Sequence, residues 1–304
     1  MSKRLKTYLA FDIGGTMIKY GIINEEGRMM ENHEIPTEAS KGGGSILAKL
    51  KQIIQQMQKS NTLSGICIAT AGMVDPVKGT ILYANDSIPE YSGMELKKIL
   101  EADCQIPCEV ENDVSCAALS EAITGAGRNA KTILCLTIGT GIGGCIIIDR
   151  EIFHGSSNSA GEVGYMKVFD SDFQKVASTS SLVKKVSSQK KCRESELNGR
   201  QIFELAKAGD QICKDAIEQL CDTLGYGIAN ICYVINPEVV ILGGGIMGQK
   251  EYLYSRIQAG ISKYLLDAIG NKTRLEFAEN GNLAGMVGAY YNFRSRQQNK
   301  RESL

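Results

Sequence analysis

The pattern of apolar positions predicts strands and helices that alternate along the chain in two groups of similar design. Continuous apolar runs at Tyr8–Ile13 and Gly65–Thr70 are typical of strands that are covered on both faces of a sheet. Between them, Ser45–Lys59 places its apolar residues on one face of a helix. A second group has strands at Thr132–Ile138 and Val239–Leu242. We predict an α/β fold with two domains, because 304 residues exceed what one core usually holds.

We expect the first domain to span residues 1–115 and the second to span 116–283. A last helix, 284–297, is predicted to pack back on the first domain and complete it. In the second domain, helices are predicted at Gly199–Ala208 and Ala216–Ile231. The latter is apolar on several sides, which favours a central position, and Asn236-Pro237 ends it.

Composition and charge exclude several classes of protein. The formal net charge is zero, so no nucleic-acid partner or anionic membrane surface is indicated, and no apolar run approaches the roughly 20 residues of a membrane span. The ten cysteines lie scattered in apolar runs, as at Cys67, Cys135, Cys145 and Cys232, which suits buried free thiols in a reducing cytoplasm. Because there is no Cys-x-x-Cys and only two histidines, a Cys/His zinc site is not predicted.

Each predicted domain contains a hairpin whose turn is rich in Gly and Thr. The first turn is Gly14-Gly15-Thr16 after Asp12, and the second is Gly139-Thr140-Gly141, which extends to Gly144. Successive amides in such turns can converge on an anion, and Asp12 could hold Mg²⁺ through water. The alternative is a pair of ordinary hairpins. Neither turn is a Walker loop, since the Gly-Lys-Ser/Thr ending is missing.

Several polar residues follow predicted strands and are candidates for binding or catalysis. Asp113 lies between a strand and a helix, where a carboxylate can be a general base or only an N-cap. Asn85 can bind a sugar hydroxyl, or it can only form a turn. Glu162 lies near two glycines and can bind vicinal hydroxyls through both carboxylate oxygens, or it can be a solvated loop acid. Gly243-Gly244-Gly245 would let an adenosine lie against bare backbone, or would permit close packing. His154 receives no role.

Five motifs, taken together, resemble the ROK family (repressor, open reading frame, kinase), a branch of the actin/hexokinase-like ATPases. The motifs are Asp12–Thr16, Glu111-Asn112-Asp113, Gly139–Gly144, Gly161-Glu162-Val163-Gly164 and Asn236–Gly245. The resemblance spans roughly residues 8–293. It implies two ribonuclease H-like domains, an interdomain cleft that holds a sugar, Mg-ATP between the two hairpins, and a homodimer.

The resemblance also implies roles for single residues. Asp113 is similar to the family's base on the sugar hydroxyl, and Asn85, Asn112, Glu162 and Tyr165 occupy positions of sugar ligands. The remaining implied assignments are Asp12 for Mg²⁺ and the following residues for ATP: Gly14, Gly15, Thr16, Lys19, Gly139, Thr140, Gly141, Gly243, Gly244 and Gly245.

Two departures from the family pattern concern zinc and the sugar. Most of the family follows Gly-Glu-x-Gly with a His that binds sugar and zinc, whereas this chain has Tyr165. The Cys-rich zinc segment expected shortly afterwards is replaced by Ala177–Val183. We therefore predict no zinc, and a pocket that takes a different group at the C1/C2 end of the sugar. Zinc-free members of this type include β-glucoside kinases and N-acetylmannosamine kinases.

The resemblance leaves three functions to weigh. An ATP-dependent kinase acting on the 6-hydroxyl of a hexose or β-glucoside is preferred, with N-acetylmannosamine kinase and glucokinase as alternatives. A sugar-responsive repressor would need a DNA-reading domain, but only eleven residues precede Asp12 and the net charge is zero. A sugar-binding protein without catalysis is disfavoured by the intact Asp12, Asp113 and both Gly/Thr turns.

Overall fold

A computed structural model describes residues 6–84 and 86–302 of the chain, which divides into two compact α/β units. The first unit comprises the residues up to Ile123, the segment His154–Ser159 and the residues from Asn280. The second unit comprises Thr124–Phe153 and Ala160–Glu279. The predicted α/β class is confirmed, whereas the predicted domain boundaries stay a prediction.

The first unit contains a five-stranded sheet in the order β3-β2-β1-β4-β7 and a small hairpin, β5-β6. In the large sheet β1, β4 and β7 are parallel, and β2 and β3 form an antiparallel extension. The strands are β1 Thr7–Ile13, β2 Met17–Asn24, β3 Met29–Pro36, β4 Leu63–Thr70, β5 Met73–Asp75, β6 Thr80–Tyr83 and β7 Cys108–Asn112.

Helices cover both faces of this sheet, which explains the continuous apolar runs of β1 and β4. The first-unit helices are α1 Gly43–Gln58, α2 Leu96–Cys104, α3 Asp113–Thr124 and α10 Ala284–Glu302. Alternate residues of β1 point to opposite faces. One set, with Leu9 and Phe11, packs with Ile46 and Leu50 of α1, and the other, with Tyr8, packs with buried side chains of α10.

Helix α10 is joined to strand β7 by a buried carboxylate. Glu109 accepts hydrogen bonds from Lys97 (2.6 Å), Lys300 (2.7 Å) and Gln297 (2.7 Å), the last two on α10. A buried carboxylate is costly unless it is paired, so this cluster stabilises the docked helix. Helix α10 contacts β1 and β4 of this sheet and is longer than the predicted 284–297.

The second unit repeats the arrangement of the first sheet, with the strand order β10-β9-β8-β13-β14. Strands β8, β13 and β14 are parallel, and β9 and β10 extend the sheet antiparallel. The hairpin similarity seen in the sequence therefore extends to both five-stranded sheets. The strands are β8 Thr132–Ile138, β9 Ile142–Ile148, β10 Glu151–Ile152, β11 Lys167–Val168, β12 Ser171–Asp172, β13 Val239–Gly243 and β14 Arg274–Phe277.

Helix α7 forms the centre of the second unit, as its apolar residues predict. It runs longer than the predicted Ala216–Ile231 because Asp210 caps its start by accepting from the Cys213 amide, while Asn236 ends it in a left-handed conformation. The second-unit helices are α4 Phe173–Ala177, α5 Thr179–Lys190, α6 Gly199–Lys207, α7 Gln211–Ile235, α8 Lys250–Tyr264 and α9 Asp267–Gly270.

The cysteines agree with the prediction made from the sequence. All ten cysteines are free thiols, and the four named above are buried. Across 6–84 and 86–302, no helix has the length and hydrophobicity needed to cross a bilayer.

Helices α7 and α8 approach so closely that a glycine is required at their contact. A Cβ added to Gly225 would lie 2.3 Å from the Gly260 carbonyl carbon, so backbone must move to admit it. We predict that Gly225→Ala lowers the free energy of unfolding by about 1–3 kcal/mol, the usual cost of overpacking, although alanine favours helix by about 1 kcal/mol. Urea unfolding measures the change. Gly248→Ala is the control, because nothing lies within 4 Å of its Cβ; equal stability of the two variants would contradict the prediction.

Candidate active site

Asp113 lies where strand β7 ends and helix α3 begins, and its carboxylate is held through one oxygen. Oδ1 accepts from the Val114 amide (2.9 Å) and from Asn112 Nδ2 (3.0 Å). Asn112 Nδ2 also donates to the Gly72 carbonyl (2.9 Å), and its Oδ1 caps the helix by accepting from the Ser115 amide (3.0 Å). The hydrogen bonds from Val114 and Asn112 both go to Oδ1, so Oδ2 is the oxygen that can receive a substrate hydroxyl.

Two carboxylates at this end of the sheet have raised pKa values. Burial raises the pKa of Asp113 to about 7, and the negative charge of Asp12 adds to the increase. Burial also raises the pKa of Asp12, against the opposing effect of Lys19. A carboxylate whose pKa lies near neutral pH is matched to general-base catalysis.

The turn Gly14–Thr16 is fixed from behind by Thr37, a residue that the sequence reasoning missed. The Thr37 hydroxyl donates to the Gly14 carbonyl (2.7 Å), and its amide donates to the Thr16 carbonyl (2.8 Å). Thr37 is completely buried, whereas a Cβ on Gly15 would meet nothing within 4 Å. The turn therefore has a rigid inner side and an open outer side, which suits the binding of an anion.

Asp12 has the surroundings expected for a cation-binding carboxylate. It lies opposite Lys19 in the β1–β2 register, with 3.8 Å between Lys19 Nζ and Asp12 Oδ2. Helix α10 leaves room for it only because residue 285 is glycine, since a Cβ there would lie 2.7 Å from the Asp12 carboxyl carbon. Mg²⁺ is commonly held by one or two carboxylates together with substrate phosphates, so this donor set fits it.

The second Gly/Thr turn borders a cavity of about 720 Å³ in the second unit. Of the residues predicted to bind ATP, Gly139, Thr140 and Gly245 line it. Helices α5 and α6 and the loop before α6 supply residues that the sequence reasoning did not select: Thr179, Ser180, Val183, Glu194, Ser195, Leu197, Asn198, Gly199, Arg200 and Phe203. The cavity is large enough for a nucleoside.

In the second unit, Gly141 and Gly244 lie close against neighbouring atoms. Gly244 has a positive φ of 104°, and its Cβ would lie 2.3 Å from the Ile138 carbonyl oxygen, so it allows β13 to approach β8. A Cβ on Gly141 would lie 2.6 Å from Gln174 Oε1, and the lining of the cavity does not include Gly243. At Gly244 the close-packing alternative is therefore supported.

The loop with Glu162 is fixed by backbone contacts with strand β9. A Cβ on Gly161 would lie 2.6 Å from the Gly144 carbonyl oxygen, and one on Gly164 would lie 2.2 Å from the Ile142 carbonyl oxygen. Neither glycine can therefore be replaced without moving the loop. Burial raises the pKa of Glu162, while the Tyr165 side chain is 52% exposed.

The predicted site residues fall into both units. The first unit brings together Asp12, Gly14, Gly15, Thr16, Lys19, Asn112 and Asp113, and the second carries Gly139, Thr140, Gly141, Glu162, Tyr165 and Gly243–Gly245. Asn85 lies outside the described residues.

The predicted absence of zinc stays a prediction. Within the described ranges, no three His, Cys, Asp or Glu side chains are grouped so that they could hold a metal ion. The segment Ala177–Val183, whose role the sequence left open, joins α4 to α5, and three of its side chains border the cavity of the second unit.

Comparisons with known proteins agree with this geometry. The ROK family matches residues 8–296. An uncharacterized protein of Clostridium perfringens is 52% identical over 94% of this chain and 97% of its own length, and a β-glucoside kinase of Listeria innocua is 31% identical over 96% and 99%. A ROK family glucokinase from Streptomyces griseus, solved with glucose and AMPPNP, is 26% identical and covers 96% of this chain and 100% of its own, with a TM-score of 0.82.

The family match extends over nearly the whole chain, and the motifs of both units fall within it. The chain is a member of the ROK family.

Proposed function

We propose that the protein is an ATP-dependent sugar kinase that phosphorylates the 6-hydroxyl of a hexose or β-glucoside. The observation that carries the proposal is Asp113, a carboxylate with a pKa of about 7 whose Oδ1 is held by protein donors. It lies in the same unit as Asp12 and the Gly14–Thr16 turn. The kinase names of the relatives support the same reaction class.

Asp113 acts as the base in this reaction. Its Oδ2 orients the sugar hydroxyl and takes the proton as the hydroxyl oxygen forms a bond to the γ-phosphorus. The bond between that phosphorus and the β,γ-bridging oxygen breaks, and ADP leaves. A base of modest strength is sufficient, because phosphoryl transfer passes through a loose transition state in which the proton moves late.

The two Gly/Thr turns and the cavity of the second unit bind the nucleotide. The Gly14 and Gly139 amides donate within their own turns, so the amides of Gly15 and Thr16 and of Thr140 and Gly141 are the ones that receive phosphate oxygens. The cavity receives the adenosine. Asp12 is the residue that would hold Mg²⁺, which neutralises phosphate charge when it is bound. Lys19, opposite Asp12, adds a positive charge to the same turn.

Glu162, Asn112 and Tyr165 bind the sugar in this proposal. Because the Asn112 side chain already makes three hydrogen bonds within the first unit, it can give the sugar only the second lone pair of Oδ1. Half-exposed Tyr165 borders the sugar at its C1 end, where a β-linked group would project. A β-glucoside kinase among the relatives supports this substrate class.

A coupled ADP-release assay over a panel of sugars tests the proposal. The panel contains glucose, fructose, mannose, N-acetylmannosamine, N-acetylglucosamine and cellobiose. We expect phosphorylation of cellobiose at the 6-hydroxyl, located by phosphorus NMR of the product. Preference for N-acetylmannosamine would mean that the substrate is a 2-acetamido sugar and not a β-glucoside. ATP binding without phosphorylation of any sugar would overturn the kinase proposal in favour of a sugar-binding protein.

Replacing the base tests its assigned role. Asp113→Asn keeps the shape of the side chain but cannot accept the proton, so turnover should fall by about 10²–10⁴-fold. Steady-state kinetics on the preferred sugar measure the loss. ATP affinity should be retained, because Asp113 is assigned to the sugar hydroxyl and not to the nucleotide. Asp215→Asn, an exposed carboxylate on α7, is the control; equal turnover of the two variants would disprove the role of Asp113.

The same substitution should stabilise the fold in a pH-dependent way. The folded pKa of Asp113 is about 7 against a usual value of 3.8, so its contribution to stability is present below 3.8 and is lost as pH rises through 7. Asp113→Asn should therefore be more stable than the wild type by about 2–4 kcal/mol at pH 8, and by less at pH 5. Urea unfolding without Mg²⁺ or nucleotide measures both values. If the two proteins differed in stability by the same amount at pH 5 and at pH 8, the raised pKa of Asp113 would be contradicted.

A further inference from the structure

We propose that His154 is a positioning residue for Asp113, which it holds through the buried carboxylate of Glu111. The proposal rests on the proposed function, because it assigns His154 to the alignment of the base. Neither histidine of the chain has a role in the reaction as described above.

The contact joins residues that are 43 positions apart in the sequence. Glu111 is 1% exposed and belongs to strand β7. Its Oε1 accepts from the Asn112 amide (2.7 Å), and its Oε2 lies 2.8 Å from His154 Nε2. A carboxylate only accepts hydrogen bonds, so Nε2 carries the hydrogen and donates it.

The hydrogen bonds form a continuous chain that ends at the base. His154 Nε2 donates to Glu111, and the Asn112 amide donates to the same carboxylate. The Asn112 side chain in turn donates to Asp113 Oδ1. Among the strands that the structure describes, β7 is at the edge of its sheet and pairs with β4 alone, so the end that precedes Asp113 depends on such side-chain contacts. A buried carboxylate that loses its donor is strongly unfavourable, and the strand end would move to hydrate it.

The course of the chain supports a specific docking role for His154. The segment His154–Ser159 belongs to the first unit, whereas the residues on both sides of it belong to the second. His154 is the first residue of this excursion, and Gly155 follows with a positive φ of 68° that turns the chain. His154 is thus the residue that fixes the segment to strand β7.

Two substitutions of His154 distinguish the loss of its hydrogen-bond donor from the loss of its ring volume. His154→Phe keeps a planar ring without an N–H, and His154→Gln keeps a donor on a side chain of similar reach. We expect His154→Phe to lower kcat by about 10–100-fold, the scale of a displaced catalytic group, and to leave the KM for ATP unchanged. His154→Gln should keep most of the wild-type kcat. His33→Phe is the control, because His33 is half-exposed on β3.

A double-mutant comparison distinguishes positioning from general destabilisation. If His154 acts by aligning the base, His154→Phe should not lower the residual kcat of the Asp113→Asn variant. A purely structural role would lower kcat by the same factor in both backgrounds, and that result would overturn the proposal. If His154→Phe does not fold, His154→Ala takes its place in both comparisons.

Hydrogen exchange gives a readout that does not depend on activity. His154→Phe should speed the exchange of the backbone amides of 111–115, while the exchange of α7 in the second unit stays unchanged. Unchanged exchange at 111–115 would overturn the proposal even if the kinase activity is present. A wild type that phosphorylates no sugar would refute the proposed function, and the exchange result would still decide whether His154 holds this strand end.

Discussion

The pairing of buried carboxylates along strand β7 is the constraint on which the rest of the first unit depends. Glu109 and Glu111 lie at alternate positions of β7 and are each 1% exposed, so each needs donors because water is largely excluded. Asp113, which is partly buried, follows two positions later at the start of α3. Helix α10 and Lys97 supply the donors for Glu109, and His154 supplies one for Glu111. Three distant parts of the chain are thereby fixed to one short strand.

The three carboxylates differ in how many hydrogen-bond donors they have. Glu109 has three donors and is inert, whereas Glu111 has one side-chain donor and one backbone donor. Asp113 is held through a single oxygen, and its pKa is raised to about 7. Of the three, Asp113 is the one whose second oxygen has a role in the proposed reaction, where it orients the sugar hydroxyl.

Local patterns were sufficient to predict the two hairpins and the general class of the fold. The runs of β1 and β4 are apolar on both faces, and the Gly/Thr turns follow strands directly, so each feature can be recognised within a few residues. Helix α5 was not predicted, because Thr179–Lys190 is rich in Ser and Lys and has few apolar positions. The helix begins after Ser178, whose hydroxyl oxygen accepts from the Ser181 amide. A short polar segment does not show in advance that such a cap will form.

The parts of the site that depend on tertiary contacts could not be predicted. Thr37 holds a turn more than twenty positions earlier in the chain, and His154 binds Glu111 across 43 positions. The cavity of the second unit is lined from four separate segments, the β8–β9 turn, α5, α6 with the loop before it, and the loop after β13. Side chains that meet only after folding leave no periodic pattern in the sequence.

Helix α10 has a consequence for the order in which the two units form during synthesis. Every residue of the second unit has been made once Glu279 is joined to the chain, whereas the first unit still lacks the helix that covers one face of its sheet. Tyr8 and its neighbours on that face stay exposed until α10 has left the ribosome. A nascent chain stalled before Ala284 therefore presents an uncovered apolar sheet, which is a surface that chaperones bind and that aggregates.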